Sequence, residues 1–330
     1  MIQTISEKMG PWLRSWGHRF REPRFGLEIA PESIRGVRLR PVEEGWGLAV
    51  GAEVALPADA LALAFRGNDF PDVDALGAAL SEMVGRLGAR NARVAAALPD
   101  ALVKLRIERF PALPDDPVEA RRLAAWRVGK GFGMPAEELM VDLFPLGLTM
   151  EGEPEALVAA AHRPVIEWYE AVFRAAGLDS EPILPAAVAR FNLHASEMPA
   201  EGTVVLLIFT TEYFHMLRME GGRLARFQSL RGGLAAGHLA RDLFLAAEQL
   251  RDELGDQPID AVFLADPGAP LWELAPALDG LFDAPMTILR ADRPLKGVAR
   301  PREGEGPSAG SLGAAIGAAI GDRLTGGGVP

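Results

Sequence analysis

The side chains that could do chemistry in this 330-residue chain are few and scattered. Its five histidines, His18, His162, His194, His215 and His238, show none of the close pairings that a metal site uses, so they read as structural. There is no cysteine, which removes disulfides, thiolate zinc sites and cysteine nucleophiles. No Gly-x-Ser-x-Gly turn offers a serine nucleophile, and Gly129-Lys130-Gly131 lacks the loop that precedes a phosphate-gripping lysine. Glu137 and Glu138 are adjacent acids, but they read as helix-start charge. Trp168, Tyr169 and Phe173 stand at helical spacing and read as core. No catalytic residue and no metal site is assigned.

Composition narrows the field further. Apolar residues make up 49% and charged residues 24%, which is ordinary for a globular protein. The net charge of -11 argues against a nucleic-acid binder, which carries a basic face. No window approaches the roughly 20 apolar residues of a membrane helix, and no signal-peptide core opens the chain. Residues 1–24 differ from the rest. Trp12, Arg14, Trp16, Arg19 and Phe20 stand among further basic and apolar residues, partly at helical spacing, although Pro11 and Gly17 interrupt it. One reading is a basic amphipathic arm on an anionic membrane; the other is an arm packed on the body.

The elements that must position any site are clearest between Val94 and Asp142. Val103, Leu105 and Ile107 alternate with Lys104, Arg106 and Glu108, the period of a strand with one face buried. Pro111 and Pro114 stop it. Asp116, Pro117 and Glu119 then set a helix start, Ala120, Leu123, Ala124 and Val128 face inward, and Gly129, Gly131 and Gly133 end the helix. This order is an Ala-Leu-Pro strand end, a strand, Phe110-Pro-Ala-Leu-Pro114, a capped helix, then Pro135-x-Glu137-Glu138 and Asp142. It resembles the PilM family of type IV pilus assembly proteins, relatives of the division protein FtsA. Leu157–Ala161 and the helix from Pro164 to Gly177 continue the resemblance, which covers most of residues 25–320.

The resemblance implies an α/β, actin-like (ribonuclease H-like) architecture of duplicated βββαβ domains with an FtsA/PilM-type inserted α+β subdomain. A coarse pass fits it. Strands near 25–29, 36–40 and 48–56, a helix near 73–87 and a strand at 94–98 recur as strands near 204–209, 214–219 and 224–230, a helix near 237–254 and a strand at 261–264. The expected division is the arm at 1–24, domain 1 at 25–100 and 179–198, the insertion at 101–178, domain 2 at 199–322 and a flexible tail at 323–330. A last helix with Gly313, Gly317 and Gly321 on one ridge reads as close-packed and too short to span a membrane.

Actin-like ATPases wrap phosphates with two hairpins, and the resemblance locates both. The first holds Gly26, Glu28 and Ser33, but Ala30 replaces a glycine, Pro31 has no N–H, and Glu32 repels phosphate. The second holds Thr210 and Thr211, with Ile208 where an acid is expected. Gly232 and Gly233 match the family's paired glycines, and Asp266 and Gly268 stand at the adenosine loop. These nucleotide-binding positions read as vestigial. No cofactor is expected, and ATP with magnesium is disfavoured.

The implied function is therefore a non-catalytic cytoplasmic platform of type IV pilus or related secretion assembly, peripheral to the inner membrane. Its implied partner is the cytoplasmic tail of a PilN-like single-span inner-membrane protein. That tail would lie in a cleft between domain 1 and the insertion, with Leu105, Ile107, Phe110 and Trp126 as groove candidates; core packing of the same residues is the competing reading. Two alternatives remain: an active actin-like ATPase or sugar-kinase-superfamily enzyme with a diverged pocket, and a GspL-like component of type II secretion, although that kind carries a membrane helix.

Overall fold

The computed structural model describes residues 25–320 except 43–44, 58–59, 62–63, 67–69, 71–72, 150, 233–237, 269–273 and 296–306. The N-terminal arm with Trp12, Arg14, Trp16, Arg19 and Phe20, the tail, Gly233 and Gly321 lie outside the described residues. The chain begins with an antiparallel meander, β1 (Phe25–Ala30), β2 (Ser33–Val42) and β3 (Gly45–Ala55). Helix α1 (Val73–Leu87) crosses over, and β4 (Arg93–Leu98) runs parallel to β1.

The insertion follows: β5 (Val103–Arg109), α2 (Pro117–Phe132), β6 (Leu139–Leu148) and β7 (Pro154–His162). Its antiparallel sheet has the order β5-β7-β6, with α2 on one face. The Asp116 side chain accepts hydrogen bonds from the N–H groups of Val118 and Glu119, and Pro117 occupies the first turn, as the sequence predicts. The helix runs through Gly129 and Gly131 and ends at Gly133, whose φ of 61° is left-handed. Gly129 has a packing reason instead: a Cβ there would lie 2.7 Å from the Met134 carbonyl oxygen.

The chain then forms α3 (Arg163–Ala175), β8 (Asp179–Pro185) and α4 (Ala186–His194). β8 pairs parallel with β4, giving the order β3-β2-β1-β4-β8. Although the expected insertion extended to residue 178, α3 buries Val165, Tyr169, Val172 and Phe173 in the core under this first sheet.

The second lobe repeats the plan with β9 (Thr203–Phe209), β10 (Tyr213–Glu220), β11 (Arg223–Arg231), α5 (Leu239–Leu254), β12 (Ala261–Ala265), α6 (Ala275–Leu278) and β13 (Met286–Leu289). Its order, β11-β10-β9-β12-β13, has the same pattern of antiparallel and parallel pairs as the first. Helix α7 (Gly313–Ile320) closes the described chain and packs on α4, β1 and β4.

The apolar clusters show the layers. Leu27, Ile29, Val94 and Ala96 face α1 and α3; Ala95 and Ala97 face α4 and α7. Val204, Leu206 and Ile208 of β9 face the same central layer, while Val205 and Leu207 face α5. β9 is buried on both faces, which is why it reads as an unbroken apolar run rather than an alternating one. The central helices fit only because of small residues. A Cβ on Gly317 would stand 1.9 Å from the Ala189 carbonyl oxygen, and one on Gly26 would stand 2.0 Å from that of Ala315.

Candidate functional site

Two sites are laid out by this frame: the interlobe cleft where the resemblance puts a nucleotide, and a groove beside the insertion. In the cleft, β1 aims Glu28 toward the central helices, where its residue is 4% exposed. Arg190 of α4, also buried, comes within 3.4 Å of Glu28 Oε1, and Arg35 from the neighbouring strand within 3.6 Å of Oε2. Arg190 also donates to the carbonyl oxygens of Gly310 at 3.1 Å and Asp266 at 3.4 Å, tying the first lobe to the second. Arg35 continues to Glu53 at 2.9 Å, and Ser33 Oγ donates to the same carboxylate at 2.7 Å. Burial works against the Arg35 charge, but Glu28 and Glu53 outweigh it and hold its pKa above the ordinary arginine value.

Most of the other positions of the cleft are engaged in local contacts of their own. Thr210 closes its own turn, with Oγ1 bonded to the main chain of Tyr213. Thr211 is exposed. Gly232 donates its N–H to the Glu212 carbonyl oxygen. Asp266 accepts from the Gly268 N–H at 2.9 Å, and a Cβ on Gly268 would lie 2.2 Å from the Ser311 nitrogen. Burial pushes the Glu212 carboxyl up; Arg231 opposes this and Asp100 adds to it. Across the lobes, buried His215 of β10 meets Asp100 through Nε2 at 3.1 Å and Ser229 Oγ through Nδ1 at 2.8 Å. Asp100 also accepts from the Ala187 N–H in the first turn of α4. A carboxylate there complements the positive end of the helix.

A magnesium–phosphate group needs free carboxylate oxygens and converging N–H groups. Here the Glu28 carboxylate lies against two guanidinium groups, with its Oε2 free of any hydrogen bond, and Pro31 supplies no N–H. Among the described residues no cluster of three or more His, Asp or Glu side chains has metal-binding geometry.

The groove is a different environment. It measures about 400 Å³ and lies between the insertion and the first lobe. One wall is β6, an edge strand of the insertion sheet; the other is β8, an edge strand of the first sheet. Val103, Met140, Phe144, Ala159, Ala161, Ile166 and Ile183 give it an apolar lining. Charge stands around it: Arg121 of α2 pairs with Asp142 at 3.1 Å, and Glu170 and Glu181 add two more acids. Asn192 of α4, 1% exposed, also lines it. The antiparallel edge of β6 leaves alternate main-chain N–H and C=O groups without a neighbouring strand on this side.

The four groove candidates from the sequence lie elsewhere. Phe110 is fully buried just past the end of β5, in the core of the insertion with the inner face of α2. Leu105 and Ile107 lie on β5, at the opposite edge of the sheet from β6, and pack in the cluster of Leu217 and Phe227. Trp126 is 55% exposed on the outer face of α2, with the Lys130 ammonium 3.9 Å from its ring centroid. β5, which carries two of these candidates, and β6, which walls the groove, are the two edges of the insertion sheet. Arg190, Asn192 and Asp100 were missed. The available signal was a lone arginine and a lone asparagine inside the apolar run from Leu184 to Leu193.

No protein-family profile matches this chain, and no curated protein matches it by sequence. Solved structures do match it. A PilM–PilN type IV pilus biogenesis complex is similar at TM-score 0.70 and 19% identity, over 90% of this chain and 98% of that one. A protein from Bacteroides thetaiotaomicron with an actin-like ATPase fold and unknown function is similar at TM-score 0.51 and 9% identity, over 85% and 94%. With two lobes of equal strand order around a shared helical layer and a three-stranded insertion, this chain has the actin-like fold.

Proposed function

We propose that this chain is a non-catalytic platform of type IV pilus or related secretion assembly, and that its groove holds an extended cytoplasmic segment of a PilN-like single-span inner-membrane protein. The observation that carries the reading is the apolar groove walled by two unpaired strand edges, β6 and β8. An extended segment there adds main-chain hydrogen bonds to an edge and lowers alternate side chains into the lining. The charge pattern supports the same class of partner. Asp142 pairs with Arg121 and Glu181 with Arg93, which leaves Glu170 as an excess acid at the groove, and cytoplasmic segments next to a membrane span are enriched in Lys and Arg. The match to a PilM–PilN complex agrees with this class of assembly.

In the same reading the interlobe cleft works without ATP or magnesium, because two guanidinium groups, Arg190 and Arg35, already stand against the Glu28 carboxylate. The chain sits at the cytoplasmic face of the inner membrane; among the described residues no helix is long and apolar enough to cross it.

The test uses a fluorescent synthetic peptide of the cytoplasmic tail of the single-span membrane protein encoded beside this chain. Saturable binding should be lost in Met140→Asp and Ile183→Asp, whose side chains are only half-buried in the lining, and kept in Trp126→Ala. Binding indifferent to both groove variants would refute the proposal, as would a genome neighbourhood without such a protein.

A further inference from the structure

Among the described residues, Asn192 is the buried polar side chain of the groove whose hydrogen bonding is left incomplete. It lies in α4, every residue of which is buried, and both its Nδ2 and its Oδ1 lack a hydrogen-bond partner. Arg121 and Asp142 at the same groove satisfy each other, whereas the Asn192 amide is left without a partner. Asparagine is also a poor helix-interior residue, since it competes for main-chain bonds in other conformations. A leucine here would have similar size, better helix propensity and no orphaned atoms. Two local rules are broken at one position, and such positions are where function outweighs local preference.

We infer that Asn192 reads the main chain of the groove's occupant: its Nδ2 donates to a carbonyl oxygen and its Oδ1 accepts from an N–H of one residue of an extended segment. The geometry follows from the strand. In an extended chain the N–H and C=O of a single residue point to the same side, which is why antiparallel neighbours exchange two bonds at once. A carboxamide carries a donor and an acceptor side by side and completes that exchange from a side chain. The contact fixes the register of the segment over Met140, Phe144 and Ile183 without demanding a particular side chain, so specificity rests with the apolar lining and the charged surround.

This inference rests on the groove being a peptide site, and its test separates the two claims. The same tail peptide is titrated against the wild-type chain and Asn192→Leu, together with a series of peptides each N-methylated at one residue. Losing two hydrogen bonds near 1 kcal/mol each weakens binding by roughly tenfold or more. In the wild type, one N-methylated position should lose roughly fivefold, the share of the single bond its N–H makes; in Asn192→Leu the parent peptide should lose both bonds, and methylation at that position should add nothing. Melting of the empty proteins gives an independent readout. Removing an unsatisfied buried amide should leave Asn192→Leu as stable as the wild type or raise its melting temperature. Equal affinity of the two proteins would overturn the inference, as would a methylation penalty that persists in the variant. So would a clear fall in melting temperature, which would mark the amide as structural. If the wild-type chain does not bind the peptide at all, the groove proposal fails and takes this inference with it.

Discussion

Replacing Arg190 by methionine tests whether a side chain of the protein has taken the place of a bound cation in the interlobe cleft. The variant keeps a flexible stem but removes the guanidinium, with its contact to Glu28 at 3.4 Å and its bonds to the Gly310 and Asp266 carbonyls. Glu28 remains, 4% exposed, with only Arg35 at 3.6 Å to offset its charge. Breaking a buried ion pair from one side costs about 3–5 kcal/mol, mostly because the other charge stays buried. Since Arg35 still partly compensates Glu28, the lower end applies, about 3 kcal/mol. That corresponds to a fall of roughly 6 °C in melting temperature for a chain of a few hundred residues. Adding Glu28→Gln removes the stranded charge. The double variant should therefore recover stability, with a coupling of about 2 kcal/mol between the two sites in a cycle of urea midpoints. A strictly additive cycle, or a loss under about 1 kcal/mol in the single variant, would show that the pair is not the internal counter-ion described here.

A thermal-shift scan with magnesium and ATP should be flat. Nucleotide bound only to the folded state at 100 times its dissociation constant would add about 2.7 kcal/mol, and a shift of that size would show a working pocket. Gly317→Ala places a Cβ 1.9 Å from the Ala189 carbonyl oxygen, so it should cost about 3 kcal/mol or leave the chain insoluble; a melting temperature like that of the wild type would contradict the helix contact. The Glu53 carboxyl should make stability depend on acid. Burial opposes its charge, but hydrogen bonds from Arg35 and Ser33 outweigh that and hold its pKa below the ordinary value of 4.5. Its contribution is thus full above that value and lost as pH falls through the folded pKa. The advantage of wild type over Glu53→Gln should be constant near neutrality and shrink in acid; an advantage that grows as pH falls would reverse the sign.

Much of the frame was legible because its signals are local. The period of two in Val103–Glu108, the Asp116-Pro117 cap and the double-faced apolar run of β9 each follow from neighbouring residues in the chain. So did the recurrence of three strands, a helix and a strand in each lobe. β6 and β8 were not legible. β6 carries Pro145 and Gly147, and β8 carries Pro182 and Pro185, residues that weaken strand propensity and are tolerated at edges because one side of an edge strand has no neighbour. The walls of the groove were therefore the strands whose local sequence argued least for being strands.

The sequence determined most of the strands and helices and that their order occurs twice, since each depends on residue types a few positions apart. Only the tertiary structure decided what each buried polar group meets. Glu28 and Arg190 are separated by 162 positions, and Asp100 and His215 by 115. Asn192 reaches a groove whose walls come from two different sheets. Pairings of that kind are set by how the layers stack around α4 and α7, and no local pattern encodes the stacking.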